Sequence, residues 1–133
     1  MKFGYVILYV EQVVDSLTFY TKAFGFPRRM ITPEKDYGEL QSGETVIAFA
    51  SITLGDMNFK KGFQASTLAE RPYGMTLTFV TESIREDFEK AIAAGAKQEV
   101  ALAEKPWGQT VGYLRDPNGF LIEICTPIPN TTV

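Results

Sequence analysis

Glu123 stands inside an apolar run, Leu121-Ile122-Glu123-Ile124-Cys125, and is the residue of this chain best placed to do chemistry. A carboxylate projected from a strand can act as a general base, ligate a metal or hold a cationic group. The partners such chemistry draws on are scarce. The 133 residues contain no histidine, one cysteine and one tryptophan. A divalent metal in a catalytic site usually takes at least three side chains from His, Cys, Asp and Glu. Asp36, Glu39 and Glu44 lie on or beside strands of the first half, where acids read as solvated charges or, alternatively, as parts of an oxygen-only site. Cys125 reads as a small packing residue, because no imidazole is present to generate a thiolate. Trp107 sits in the turn Lys105-Pro106-Trp107-Gly108, outside any apolar period. It offers either a flat stacking wall for a planar ligand or a cap on a hydrophobic edge.

The elements that must position these residues are legible from periodicity. Residues 5–10 form a continuous β-branched and aromatic run, as in a strand covered on both faces. Val13, Leu17, Tyr20 and Phe24 then recur at helical spacing, and Gly25 stops the helix at 13–24. Strands follow at 27–32, 36–41 and 45–51, with Ser42-Gly43 turning between the last two. The stretch 52–74 has no clean period and contains Phe59 and Phe63, which suggests a connector with a function of its own. The pattern then restarts with a strand at 75–81 and a helix at 83–94. Ser83 is placed as its N-cap, and Glu86 completes a capping box. Strands at 98–103, 110–114 and 120–126 end the set. The order βαβββ therefore occurs twice, with Val10 and Val80, and Gly25 and Gly95, each 70 positions apart. Asp116-Pro117-Asn118-Gly119 is a structural turn with no chemistry assigned, and the short tail 127–133 reads as frayed.

Composition narrows the function classes. The net charge is −3 and the pI near 5.0, which excludes nucleic acid and anionic membrane as principal partners. No stretch approaches the roughly 20 apolar residues that span a bilayer, and the opening residues carry no cleavable signal pattern. With one cysteine, no intramolecular disulfide can form. A cytoplasmic protein is expected.

The opening residues 5–10, then Asp15-Ser16-Leu17-Thr18-Phe19-Tyr20 and Phe24-Gly25-Phe26, resemble the start of a vicinal oxygen chelate protein. The closing pattern of that superfamily is matched by Gly95-Ala96, by residues 105–110, by Asp116-Pro117-Asn118-Gly119 and by Ile122-Glu123. Its members include glyoxalase I, bleomycin-resistance proteins and extradiol dioxygenases. The resemblance covers the chain apart from 52–73 and the tail. It implies a single α+β domain of tandem βαβββ modules forming a curled mixed sheet around a cleft, with helices outside. Module 1 is expected at about 3–52, the connector at 53–74, module 2 at about 75–126 and the tail at 127–133.

In metal-dependent members four ligands face the cleft, one from the first and one from the fourth strand of each module. Those positions correspond to Tyr5, Ala48, Met75 and Glu123. Ala48 offers no donor, the Met75 thioether is too soft for Zn, Mg, Mn or Ni, and a neutral phenol is a poor ligand. The expectation is therefore no metal cofactor, the alternative being a divalent ion at Glu123. Three readings of Glu123 stay open: solvation at the cleft mouth, pairing with Tyr5, Arg115 or Lys105, or a direct role as base or cation-recognition group.

Alternation places Tyr9 beside Tyr5, Ala50 beside Ala48 and Phe79 beside Met75 on the inferred lining. Tyr37, Trp107, Phe59 and Phe63 add aromatic surface. Such a lining suits a hydrophobic or aromatic small molecule, bound or sequestered without catalysis. The alternative is a glyoxalase-like lyase or isomerase using Glu123 and Tyr5 as an acid–base pair, and a structural or regulatory module is a third reading. A homodimer is expected from the resemblance.

Overall fold

The computed structural model describes residues 1–129, so the end of the expected frayed tail lies outside the described residues. The chain divides into two compact units, Met1–Ser66 and Thr67–Val133. The first unit contains β1 (Val6–Val10), α1 (Val13–Phe24), β2 (Arg28–Ile31), β3 (Tyr37–Ser42), β4 (Thr45–Ser51) and α2 (Ile52–Asn58). The second contains β5 (Leu77–Val80), α3 (Ile84–Ala94), β6 (Lys97–Glu104), β7 (Thr110–Arg115) and β8 (Leu121–Cys125). Each sheet has four strands, ordered β1-β4-β3-β2 and β5-β8-β7-β6. The first strand of each unit runs parallel to the last, and the remaining pairs are antiparallel. The architecture is α+β.

In the first unit α1 buries Val13, Leu17 and Tyr20 against one sheet face. Tyr20 packs on Phe49 with ring centroids 5.0 Å apart. A methyl on Gly38 would meet Leu17 at 2.7 Å, so glycine lets the helix approach the sheet. Gly25 ends the helix at φ 78°, donating its N–H to the Thr21 carbonyl. Full burial of an aromatic such as Tyr20 stabilises a core by about 2–3 kcal/mol.

The second unit repeats this with α3, whose Ile84, Phe88 and Ala91 are buried. A methyl on Gly112 would lie 2.8 Å from Phe88 and from Leu102. Ser83 makes no side-chain cap bond, so the expected capping box is absent. Thr81 takes over that end: its hydroxyl accepts from the Ser83 N–H at 3.0 Å and donates to Asp87 at 2.5 Å. A β-branched residue already fixed at the strand end supplies the contact.

The aperiodic stretch resolves differently from the expected connector. Its first part is α2, capped by Ser51, whose Oγ accepts from the Leu54 N–H at 3.0 Å. Gly55 is buried because a side chain there would run into Phe63 and Tyr9. The rings of Phe63 and Tyr9 lie 4.8 Å apart. Residues up to Ser66 therefore belong to the first unit and those from Thr67 to the second.

Pairing registers also correct the internal repeat. Ile7 faces Ala48 across β1 and β4, and Thr78 faces Glu123 across β5 and β8. Glu39 is paired with Ala48, and Tyr113 with Glu123. Ala48 and Glu123 are thus equivalent, as the sequence suggested, but Ile7 corresponds to Thr78, 71 positions on. The spacing of 70 at the glycines arises because α3 is one residue shorter than α1. A one-residue slip turns every side chain of a strand to its other face. The counterpart of Tyr5 is therefore Thr76, not Met75.

Candidate functional site

On the sheet face of the second unit that carries Glu123, strand alternation places Thr76, Thr78 and Val80 from the β5 side, and Val111, Tyr113 and Arg115 from β7. Met75 and Phe79, both expected to line a ligand with Glu123, fall on the opposite face. Glu123 is held from two sides. Thr78 Oγ1 donates to Oε1 at 3.1 Å, and the Tyr113 hydroxyl donates to Oε2 at 2.6 Å. A hydroxyl has one proton to give, so Thr76, 3.0 Å from Thr78, must be the donor in that contact. The chain of bonds then runs from Thr76 through Thr78 to the Glu123 carboxylate, with Tyr113 closing it from the other strand.

Glu123 has no Lys or Arg partner among the described residues, which removes Arg115 and Lys105 as its pair. Arg115 is buried and spends its guanidinium on backbone: Nε donates to the Gly119 carbonyl at 2.8 Å, and a terminal nitrogen to those of Thr67 and Glu70 at 2.9 and 2.8 Å.

Beside Glu123 lies a depression of about 440 Å³. Its apolar wall comes from Val80, Cys125, Pro127 and Ile128. Thr78, Gln109 and Glu123 supply the polar groups. Cys125 is 3% exposed, and burial, then the neighbouring charge of Glu123, pushes its thiol up from the ordinary range. It is a neutral wall at physiological pH, not a nucleophile. Gln109 is fixed by Thr126, whose carbonyl accepts from its amide at 2.8 Å, and its own carbonyl accepts from the Trp107 indole at 2.7 Å. Trp107 is 59% exposed at the tip of the β6–β7 turn and reaches the depression through Gln109. Sequence reasoning missed Thr78, Gln109 and Tyr113 as site residues; the cross-strand register is the signal that finds Thr78 and Tyr113, and the bonds to Trp107 and Thr126 are what place Gln109.

The first unit carries a related arrangement. The Tyr37 hydroxyl donates to Glu39 at 2.6 Å. Here the carboxylate sits on β3, opposite Ala48, whereas in the second unit it sits on the last strand, opposite Tyr113. Arg29 Nε pairs with Glu39 at 2.9 Å, so this carboxylate is already neutralised. Tyr5, half exposed, lies close enough to Tyr37 to disfavour its ionisation. Ala48 and Ala50 are buried beside Glu39 and Tyr37, their cross-strand partners, and Tyr9 packs on Phe63. The polar depression is lined by residues of the second unit, and these aromatic candidates belong to the first.

The tyrosines give a pH signature. Burial, then the bond to Glu39, raises the Tyr37 phenol above its ordinary value; the bond to Glu123, then burial, raises that of Tyr113. An acid whose folded pKa is raised contributes stability that is complete below the unfolded value, about 10, and is lost as pH rises through the folded value. Stability should therefore fall above about pH 10. Urea midpoints at about pH 9 and about pH 11 check this, and Tyr113→Phe should flatten the decline. An unchanged decline in that variant would contradict the assigned hydrogen bond.

The positions that the resemblance assigns to metal ligands now hold Tyr5, Ala48, Thr76 and Glu123. Among the described residues no three His, Cys, Asp or Glu side chains group closely enough to hold an ion. Both oxygens of Glu123 already accept hydroxyl bonds. The donor set does not fit the metal of the metal-dependent relatives. No helix of the described residues is long and apolar enough to cross a membrane.

A family model described as the Glyoxalase/Bleomycin resistance protein/Dioxygenase superfamily matches residues 2–124. Comparison with curated proteins gives no match. Among solved structures, a glyoxalase-related enzyme from Fulvimarina pelagi is 22% identical, with TM-score 0.79 over 96% of this chain and 88% of that one. A glyoxalase/bleomycin resistance protein/dioxygenase family enzyme from Burkholderia phytofirmans PsJN is 22% identical, with TM-score 0.78 over 92% and 96%. A lactoylglutathione lyase from Agrobacterium tumefaciens is 16% identical, with TM-score 0.69 over 94% and 92%. At these identities the likeness is one of fold.

Proposed function

Because the chain belongs to the glyoxalase/bleomycin resistance protein/dioxygenase superfamily, we propose that it uses the family scaffold to bind a small apolar or aromatic molecule without a metal. The observation that carries this reading is the depression beside Glu123, where an apolar wall meets one carboxylate and one fixed amide. Its volume falls within the roughly 300–1,000 Å³ of small-molecule sites, and a mostly apolar lining with few polar anchors is their usual profile. Glu123, steadied by Thr78 and Tyr113, orients the ligand, and Val80, Pro127 and Ile128 cover its body. The donor set favours binding over the metal-assisted chemistry of glyoxalase I.

Trp107 reports on the site. Its indole is bonded to Gln109, which lines the depression, and it is the chain's single tryptophan. Titration with a panel of bicyclic aromatics that do not absorb at the emission wavelength should give saturable changes in its fluorescence. Val80→Phe, which narrows the mouth of the depression from an exposed strand position without adding a second tryptophan, should weaken that response at least tenfold. A flat titration with every compound would remove the support for this reading.

A further inference from the structure

We propose that the ligand of the depression is an organic cation, an ammonium group carried on an apolar or aromatic body. The inference rests on the binding reading above and follows from counting donors and acceptors on the wall. Among the described residues that line it, Glu123 is the one charged group. A carboxylate offers about four acceptor directions, and two are occupied, by Thr78 and Tyr113. The rest remain available.

Most donors nearby are spent. The Thr78 and Tyr113 protons are committed to Glu123, the Trp107 indole to Gln109, and one Gln109 amide hydrogen to Thr126, which leaves one amide hydrogen beside the carboxylate. What meets an incoming group is acceptor capacity and negative charge beside apolar surface. A carboxylate or phosphate would bring like charge against Glu123 and find few donors. A neutral aromatic would leave the charge uncompensated while displacing its water, which is unfavourable. An ammonium supplies donors and the opposite charge together, in charge-assisted bonds about twice as strong as neutral ones.

The first unit supplies the contrast. Glu39 also accepts from a tyrosine, yet Arg29 already neutralises it. Glu123, the same pairing without the arginine, has only neutral hydroxyls as partners. The cation missing from the second unit is the one that the ligand brings.

Three probes of one shape separate the possibilities: naphthalen-2-ylmethylammonium, 2-naphthalenemethanol and 2-naphthoate, titrated calorimetrically into the whole chain at neutral pH. The ammonium should bind at least tenfold tighter than the alcohol, with naphthoate weakest. In Glu123→Gln that advantage should shrink to about twofold. Tyr113→Phe keeps the charge and frees an acceptor direction, so the preference should persist there even if Glu123→Gln fails to fold. Equal binding of all three, a preference for naphthoate, or loss of the preference in Tyr113→Phe would overturn the cation assignment while leaving the binding reading intact. No heat with any probe would overturn both.

Discussion

Gly119→Ala is expected to destabilise the protein by about 3 kcal/mol or more, one of the largest effects of any single methyl group here. Two costs combine. Gly119 has φ 91°, in the region that L side chains adopt only with strain. Its Cβ would also lie 2.5 Å from the carbonyl carbon and oxygen of Thr67, backbone atoms that cannot rotate aside. Either the turn or the segment beginning at Thr67 must move. The turn is otherwise tightly made: Asp116 is fully buried, and its Oδ1 accepts from the Asn118 and Phe120 N–H groups at 2.9 Å. A melting point lower by roughly 10 °C is the expected reading. A change below about 2 °C would show that the turn does not press on Thr67 as described.

Arg115→Leu should be comparably severe, at about 3–5 kcal/mol, for a different reason. The guanidinium is the common donor for the carbonyls of Gly119, Thr67 and Glu70. A leucine preserves much of the volume but leaves three acceptors to find water or stay unpaired, each at about 1–3 kcal/mol when buried. Arg115→Lys keeps the charge yet cannot reproduce the planar fork, so it should recover less than half of the loss. If lysine restored full stability, charge alone and not the multiple bonds would be what Arg115 contributes. Denaturant midpoints of the two variants decide the matter. Both substitutions act on the strand-turn-strand unit that delivers Glu123, so ligand affinity should fall along with stability.

Much of the fold was legible because single elements declare themselves by period and punctuation. Val13, Leu17 and Tyr20, followed by Gly25, mark α1 to its observed ends, and the apolar run within Thr45–Ser51, after the Ser42-Gly43 turn, marks β4. Register was harder, because it depends on two strands at once. Val10 and Val80 look equivalent in a list of landmarks, yet the missing residue in α3 moves the second module by one place. That single position exchanges Met75 and Phe79 for Thr76, Thr78 and Val80 on the face of Glu123. Hydroxyls therefore occupy ground that the sequence reading gave to thioether and phenyl groups.

The partners of Glu123 were illegible for the same reason. Tyr113 lies ten positions away in sequence and becomes its neighbour only through the β7–β8 pairing. Arg115 looked like a counter-ion because the sequence gives charge but not direction. Its burial against three carbonyls is a tertiary fact. Glu123 itself was readable, as the one charge in an apolar strand. Short α2 was not, since seven residues give too little period to distinguish a helix from a loop.

Ligand binding that needs no metal is tested by the Trp107 emission titration, run on protein stripped by chelator and then again with zinc, nickel or manganese restored. Naphthalen-2-ylmethylammonium is read in the same two states by calorimetry. Both titrations should show saturable binding to the stripped protein, unchanged when metal is added, and the ammonium should bind roughly fivefold or more weaker in Glu123→Gln. Binding that appears only with metal, or ammonium binding that Glu123→Gln leaves untouched, would contradict this.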